Sequence, residues 1–204
     1  MESEPRPGIY RHFKGGKYLV FWVSTDVESG EQGVEYSSLY GPHVGKHARR
    51  PLKNFLEEVD RPELNYKGPR FRSMESFEKM VTNLKLLLPK ICGRETSADP
   101  GDGSEANPLW GHCAVVALLT QDLFGGELLR ASLDGTPFAD MRSHYWNQLP
   151  GGMELDLTAP QFGDNYPIGL QPETRTRSYV LSNPDTKARY ELLKQKFTKA
   201  KPPE

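Results

Sequence analysis

The 204-residue sequence predicts an α+β protein in two parts: a small all-β domain over residues 1–65, and a second domain over residues 73–198 built on a core helix against antiparallel strands. Three observations predict it. Apolar alternation broken by turn residues fills the first sixty positions. Residues 113–124 are apolar on most sides, as befits a buried central helix. Residues 143–149 and 153–158 flank Pro150-Gly151-Gly152, the clearest hairpin in the chain.

Taken in order, residues 18–23 are β-rich, 28–31 form a turn and 34–40 alternate, which is the grammar of a hairpin. Gly41-Pro42 makes the next turn, followed by the basic stretch 46–50. Residues 52–59 read as a short amphipathic helix or an extended arm. Pro62, Gly68 and Pro69 punctuate the exit. Ser73, with Glu75 and Ser76, is placed to cap a helix over residues 74–88, in which Phe77, Met80, Val81, Leu84, Leu87 and Leu88 recur at helical spacing. The stretch 93–108 is rich in Gly, Pro, Asp, Ser and Asn and reads as a loop; long loops inside compact domains are usually functional. It leads to Cys113. The helix from Cys113 ends at Gly125-Gly126, a strand over 127–133 follows, then the hairpin, a helix over 190–197 and a tail over 199–204.

Bulk properties narrow the function. The net charge is -1 with both signs well mixed, so no basic footprint for nucleic acid is present. No run approaches the roughly 20 apolar residues of a membrane span, and the first residues lack the apolar core of a signal peptide. A cytoplasmic location is therefore expected. Two cysteines give no disulfide framework. Cys92 follows the apolar residues 86–91 and reads as a small hydrophobe. Cys113 opens a helix, where amide dipoles favour a thiolate.

Counting outward from the turn at Gly151 pairs residue 144 with about 158 and leaves 156 opposite about 146. His144 and Asp156 are then diagonal neighbours on one face, with Trp146 beside them to cover them from water. Aspartate has poor β propensity, so its place between Leu155 and Leu157 needs a reason. Holding the imidazole of His144 in a proton-accepting tautomer supplies one. Cys113, His144 and Asp156 are thus the candidate catalytic residues, with Trp110, His112 and Trp146 as the substrate-binding side chains around them. A metal site built on His112, Cys113, His144 and Asp156 is the rival reading by ligand type. His43 and His47 lack further ligands nearby and carry no metal expectation. No phosphate loop appears, and no cofactor is expected.

The order Cys on a helix, His, then Asp on adjoining strands resembles the papain-like superfamily, which includes transglutaminase-like and NlpC/P60-like enzymes. That resemblance implies an oxyanion donor six residues before the cysteine, a glutamine in papain-like proteases and Asn107 here, with the Cys113 N–H as the second donor. More closely, Asn107-Pro-Leu-Trp-Gly-His-Cys113, Gln121-Asp-Leu-Phe-Gly-Gly126, His144-Tyr-Trp-Asn147, the segment Asp156-Leu-Thr-Ala-Pro-Gln-Phe162 and Arg189-Tyr-Glu-Leu-Leu-Lys194 resemble the bacterial YunG family. That family usually has Gln where this chain has His112. The N-terminal residues Pro7-Gly-Ile-Tyr-Arg-His-Phe-Lys-Gly-Gly16, Tyr36-Ser-Ser-Leu-Tyr40 and Arg50-Pro-Leu-Lys-Asn-Phe-Leu-Glu-Glu58 resemble the DUF1653 domain, whose size and hairpins suit a small SH3-like half-barrel. In it, Tyr10, Tyr36 and Tyr40 with Arg11, His12, Arg49 and Arg50 are either a recognition surface or, for the aromatics, core.

The function expected is a cysteine-dependent hydrolase or acyltransferase acting on the amide or ester bond of a peptide or small molecule. The alternative is a two-domain binding protein that holds a ligand without turning it over.

Overall fold

The structure is a computed structural model that describes residues 4–39, 46–101 and 105–200. The chain divides into two compact units between Thr82 and Asn83.

In the first unit, strands β1 (Gly8–His12), β2 (Lys17–Thr25), β3 (Gln32–Ser38) and β4 (His47–Pro51) precede a four-residue helix α1 (Leu52–Phe55). Strands β5 (Glu58–Arg61), β6 (Tyr66–Pro69) and β7 (Phe71–Ser76) follow. The main sheet is antiparallel in the order β4-β3-β2-β1-β7, and β5 and β6 form a separate hairpin. Tyr10, Val20, Val34, Tyr36, Phe55 and Phe71 fill its core. The Phe55 and Phe71 rings stack face to face at 4.3 Å, a contact worth about 0.5–1.5 kcal/mol beyond area burial.

That stack corrects the helix expected over residues 74–88. Residues 71–76 pair with β1, so Met74 lies in a strand and helix α2 spans Phe77–Ile91. The open edge of β1 needed a hydrogen-bonding partner, and Phe71 needed the core; together they outweigh the capping signal at Ser73. Tyr10 and Tyr36, considered as recognition residues, are buried core aromatics. Tyr40 and His43 lie outside the described residues.

In the second unit, helix α3 (Cys113–Phe124), strands β8 (Glu127–Ser132), β9 (Ser143–Gln148), β10 (Glu154–Leu155) and β11 (Glu173–Arg175), and helices α4 (Arg177–Leu181) and α5 (Pro184–Ala200) follow the loop after α2. The sheet is antiparallel in the order β10-β9-β8-β11. Helix α3 packs on β9 and β8 and against α5. Its residues 115–120 are all buried, as a helix apolar on all sides must be. Polar links from neighbouring elements help to fix it. Asn147 of β9 donates to the Ala117 carbonyl (3.0 Å), and Arg177 donates to the Leu118 carbonyl (3.3 Å) and to Gln121 (3.1 Å).

The expected hairpin forms with the expected register. Glu154 pairs with Gln148 and Leu155 with Asn147, the register that, extended by one residue, would set 156 opposite 146. The second strand is shorter than expected, because the chain leaves the ladder at Asp156 to enter a 3-10 turn at Ala159–Phe162. Among the described residues no helix is long and apolar enough to cross a membrane.

Gly126 joins α3 to β8 at φ +82°, and a Cβ there would sit 2.2 Å from the Gln148 carbonyl oxygen. Gly126→Ala is expected to destabilise the protein by about 1–3 kcal/mol or more through forced overpacking at a left-handed φ. A urea midpoint equal to that of the wild type would show that the hairpin end yields freely.

Candidate active site

The loop before α3 sets the position of Cys113. Ala98 N–H donates to the Gly111 carbonyl (2.9 Å), and the Ser97 hydroxyl donates to the Trp110 carbonyl (2.8 Å). Gly111 has φ +74°, and a Cβ on it would meet Ser97 Oγ at 2.4 Å, so only glycine permits this approach. His112 is buried within the same loop. Its Nδ1–H donates to the Trp110 carbonyl (2.8 Å), and its Nε2 lies 2.9 Å from the Thr96 hydroxyl and 3.2 Å from the Gly93 carbonyl. Burial pulls its pKa below the ordinary histidine value and keeps it neutral. Both its nitrogens are thus committed to the loop. Among the described residues no group of three His, Cys, Asp or Glu side chains is placed to hold a metal, and the rival metal set is not assembled.

Cys113 is the first residue of α3, where N–H groups have no partner within the helix. Its thiol donates weakly to the carbonyl of Ser143, the residue before His144, at 3.9 Å, and Cys113 is among the groups that act on the His144 imidazole electrostatically. Ser143 follows Arg142, a non-glycine residue at φ 62° and ψ -44°. That conformation is strained. Hydrogen bonds from Arg142 N–H to the Ala139 carbonyl (2.8 Å) and from Leu133 N–H to the Arg142 carbonyl (3.0 Å) hold it. A cavity of about 550 Å³ opens beside the thiol, lined in part by Asp99, Gly111, Arg142, Ser143 and Tyr145.

His144 is fully buried. Its Nε2 lies 2.7 Å from Asp156 Oδ2. The other carboxylate oxygen of Asp156 accepts from the Thr158 N–H (2.9 Å) and hydroxyl (3.0 Å), and the Tyr166 hydroxyl donates to Oδ2 (3.1 Å). Burial alone would raise the Asp156 pKa, but the hydrogen bond and charge of His144 and the Thr158 donors outweigh it and hold it below the usual carboxylate value. An ionised carboxylate only accepts, so the imidazole carries its proton on Nε2 and presents Nδ1 elsewhere. Three rings enclose it: Trp146 stacks at 5.4 Å, Phe162 meets it edge-on at 4.9 Å and Tyr166 edge-on at 6.3 Å. Burial lowers the pKa of His144. Hydrogen bonds to Asp156 and Cys113, with their charges, overcome that and raise it to about 9.

Cys113, His144 and Asp156 are therefore brought together. Trp146, 5 % exposed, covers the imidazole and donates to Glu154 (2.8 Å). Trp110 donates to Asp99 (3.2 Å) on the loop side. Asn107 has a different engagement from the one expected of an oxyanion donor: its Nδ2 donates to the Gln161 carbonyl (2.8 Å), and it lines a second cavity, of about 680 Å³, with Asp156 and Tyr166. Phe162, Tyr166 and Gln161 escaped the sequence reading as site residues. For Gln161 and Phe162 the signal was the run Asp156 to Phe162, whose Thr158 and Pro160 mark a turn just after the carboxylate; Tyr166 lies beyond that run.

Residues 80–201, more than half of the chain, match the family model described as YunG protein, and the chain belongs to the YunG family. Residues 8–73 match the model described as a protein of unknown function, DUF1653. The uncharacterized protein YunG of Bacillus subtilis (strain 168) is 28% identical over 121 residues, which is 58% of this chain and 92% of that relative. A crystal structure of a DUF1653 protein from Bordetella bronchiseptica is 33% identical, covering 35% of this chain and 90% of that one, with a TM-score of 0.32.

Because the folded His144 pKa, about 9, exceeds the unfolded value of 6.5, its stabilisation is complete below pH 6.5 and is lost as pH rises through 9. Urea midpoints are expected to fall across that window in the wild type, and much less in Asp156→Asn. A wild-type midpoint flat between pH 6.5 and 9 would contradict the pairing.

Proposed function

We propose that the protein is a cysteine-dependent hydrolase or acyltransferase acting on an amide or ester bond, with a papain-like arrangement of Cys113, His144 and Asp156. The observation that carries this reading is the 2.7 Å bond from His144 to Asp156, made on a fully buried ring that Asp156 and Cys113 together favour in its charged form.

In the first half of the reaction the Cys113 proton passes to Nδ1 of His144, whose raised pKa favours the resulting thiolate–imidazolium pair, and the sulfur forms a bond to the carbonyl carbon of the substrate. The carbonyl oxygen becomes an oxyanion beside the Cys113 N–H at the open first turn of α3. Collapse breaks the bond to the amine or alcohol, which leaves with the proton from His144. Water or an amine then attacks the thioester, gives a proton to Nδ1, and the thiol recovers it as the product leaves. Asp156 keeps its charge throughout and holds Nε2–H. The cavity beside the thiol, with Asp99, Arg142 and Tyr145 on its walls, is the space for a polar peptide or small-molecule substrate. We read the N-terminal unit as a small SH3-like module that binds a partner of its own. The action is placed in the cytoplasm, where a thiol stays reduced.

The two cysteines test the assignment against each other. Burial pushes the Cys92 thiol up to about 12, so it should be inert. With iodoacetamide on the native protein near neutral pH, Cys113 is expected to be alkylated at least about tenfold faster than Cys92, and His144→Ala should remove that advantage. Equal labelling of both cysteines, read by peptide mass spectrometry, would sink the nucleophile.

A further inference from the structure

One polar side chain at the centre of the site has no part in the triad. Gln161 is 2 % exposed. Its Nε2 lies 3.4 Å from Nδ1 of His144, the nitrogen that Asp156 leaves unused. Its Oε1, also buried, has no partner among the described residues. A carboxamide kept in so dry a place with one end unpaired is retained for what its other end touches.

The segment that carries it makes that contact deliberate. Gln161 lies in the 3-10 turn Ala159–Phe162, capped by Thr158, two residues after Asp156. Its N–H donates to the Thr158 carbonyl (2.9 Å), while Thr158 itself donates to Asp156. Asn107 reaches across from the other loop to the Gln161 carbonyl (2.8 Å). One short turn thus delivers both partners of the imidazole, a carboxylate to Nε2 and an amide to Nδ1.

We propose that Gln161 is a positioning residue for His144: its amide N–H donates to Nδ1, holds that nitrogen as a lone-pair acceptor facing Cys113, and weakens its grip on a proton once it has received one. The inference rests on His144 serving as the base of Cys113. A base in this reaction must also return its proton to the leaving group. Asp156 and the thiolate both favour the imidazolium, and Trp146, Phe162 and Tyr166 keep water from competing. An N–H pointed at Nδ1 is the opposing influence. It stabilises the unprotonated nitrogen and is repelled by Nδ1–H, so the proton passes on more readily. The long 3.4 Å separation fits a lone pair shared between the amide and the thiol.

The groups that face His144 are few, so the sign of the effect can be read. Cys113 meets it from α3, and Asp156 and Tyr166 from the chain after β10; Glu154 acts through Trp146. In the full-length protein, the His144 ring is titrated by long-range ¹H–¹⁵N NMR in the wild type, in Gln161→Met, which keeps the volume without a donor, and in Gln161→Glu. The midpoint is expected to rise by about half a unit or more in Gln161→Met, and further in Gln161→Glu. A midpoint that stays put or falls in Gln161→Met overturns the proposal, since a merely packed glutamine, or one facing Nδ1 with its oxygen, gives those results. Should Gln161→Met fail to fold, Gln161→Glu keeps the test: an unmoved midpoint there also overturns it. The alkylation rate of Cys113 is measured on the same samples. A shifted His144 titration without rapid alkylation would leave Gln161 in place and remove the nucleophile.

Discussion

A carboxylate and an imidazole taken out of water together constrain the whole second unit. His144 is fully buried and Asp156 nearly so, and stripping water from such groups costs several kcal/mol unless their hydrogen-bonding capacity is met. The 2.7 Å bond between them is the first compensation, and the Thr158 and Tyr166 donors to Asp156 complete it. The aromatic cage sharpens both sides of this balance. It excludes the water that would solvate the pair, and the low dielectric it creates strengthens every contact the pair makes.

Much of the local backbone serves that arrangement. The hairpin places His144 and Trp146 on one face by the two-residue period of a strand. The chain then abandons the ladder at Asp156, since a strand continued to residue 158 would not wrap Thr158 around the carboxylate. The thiol comes from another element altogether. Helix α3 brings it through the loop that Gly111 allows to close, and the buried bond from Asn147 to Ala117 locks the helix to the strand carrying His144. Strain at Arg142 sits where the strand begins, one residue from the carbonyl that meets the sulfur.

The N-terminal unit follows a plainer logic. Its aromatics lie inward, with Tyr10 and Phe55 edge-on at 5.3 Å and Phe55 on Phe71. A domain this small has little interior, and large rings fill it with the fewest residues. Residues 74–76 carry a helical expectation because Ser73 and the spacing beyond it favour a helix locally. Pairing with β1 is a non-local gain that no window of sequence contains.

By itself the sequence determined the helix Cys113–Phe124, the turn at residues 150–152 and the register that sets 156 opposite 146, because all three follow from periodicities of two and 3.6 residues within short stretches. It also singled out Cys113 by its place at a helix start, and His144 and Asp156 as polar residue types set on strands beside apolar neighbours. Only the tertiary structure decided what surrounds them. His112 is spent on its own loop, Asn107 on Gln161, and Gln161 on the imidazole, because each of those bonds joins segments far apart in the chain, or depends on a turn whose shape the carboxylate of Asp156 sets. Burial decided the rest: a histidine with no access to water takes its behaviour from its neighbours, and neighbours across elements are what a linear reading does not contain.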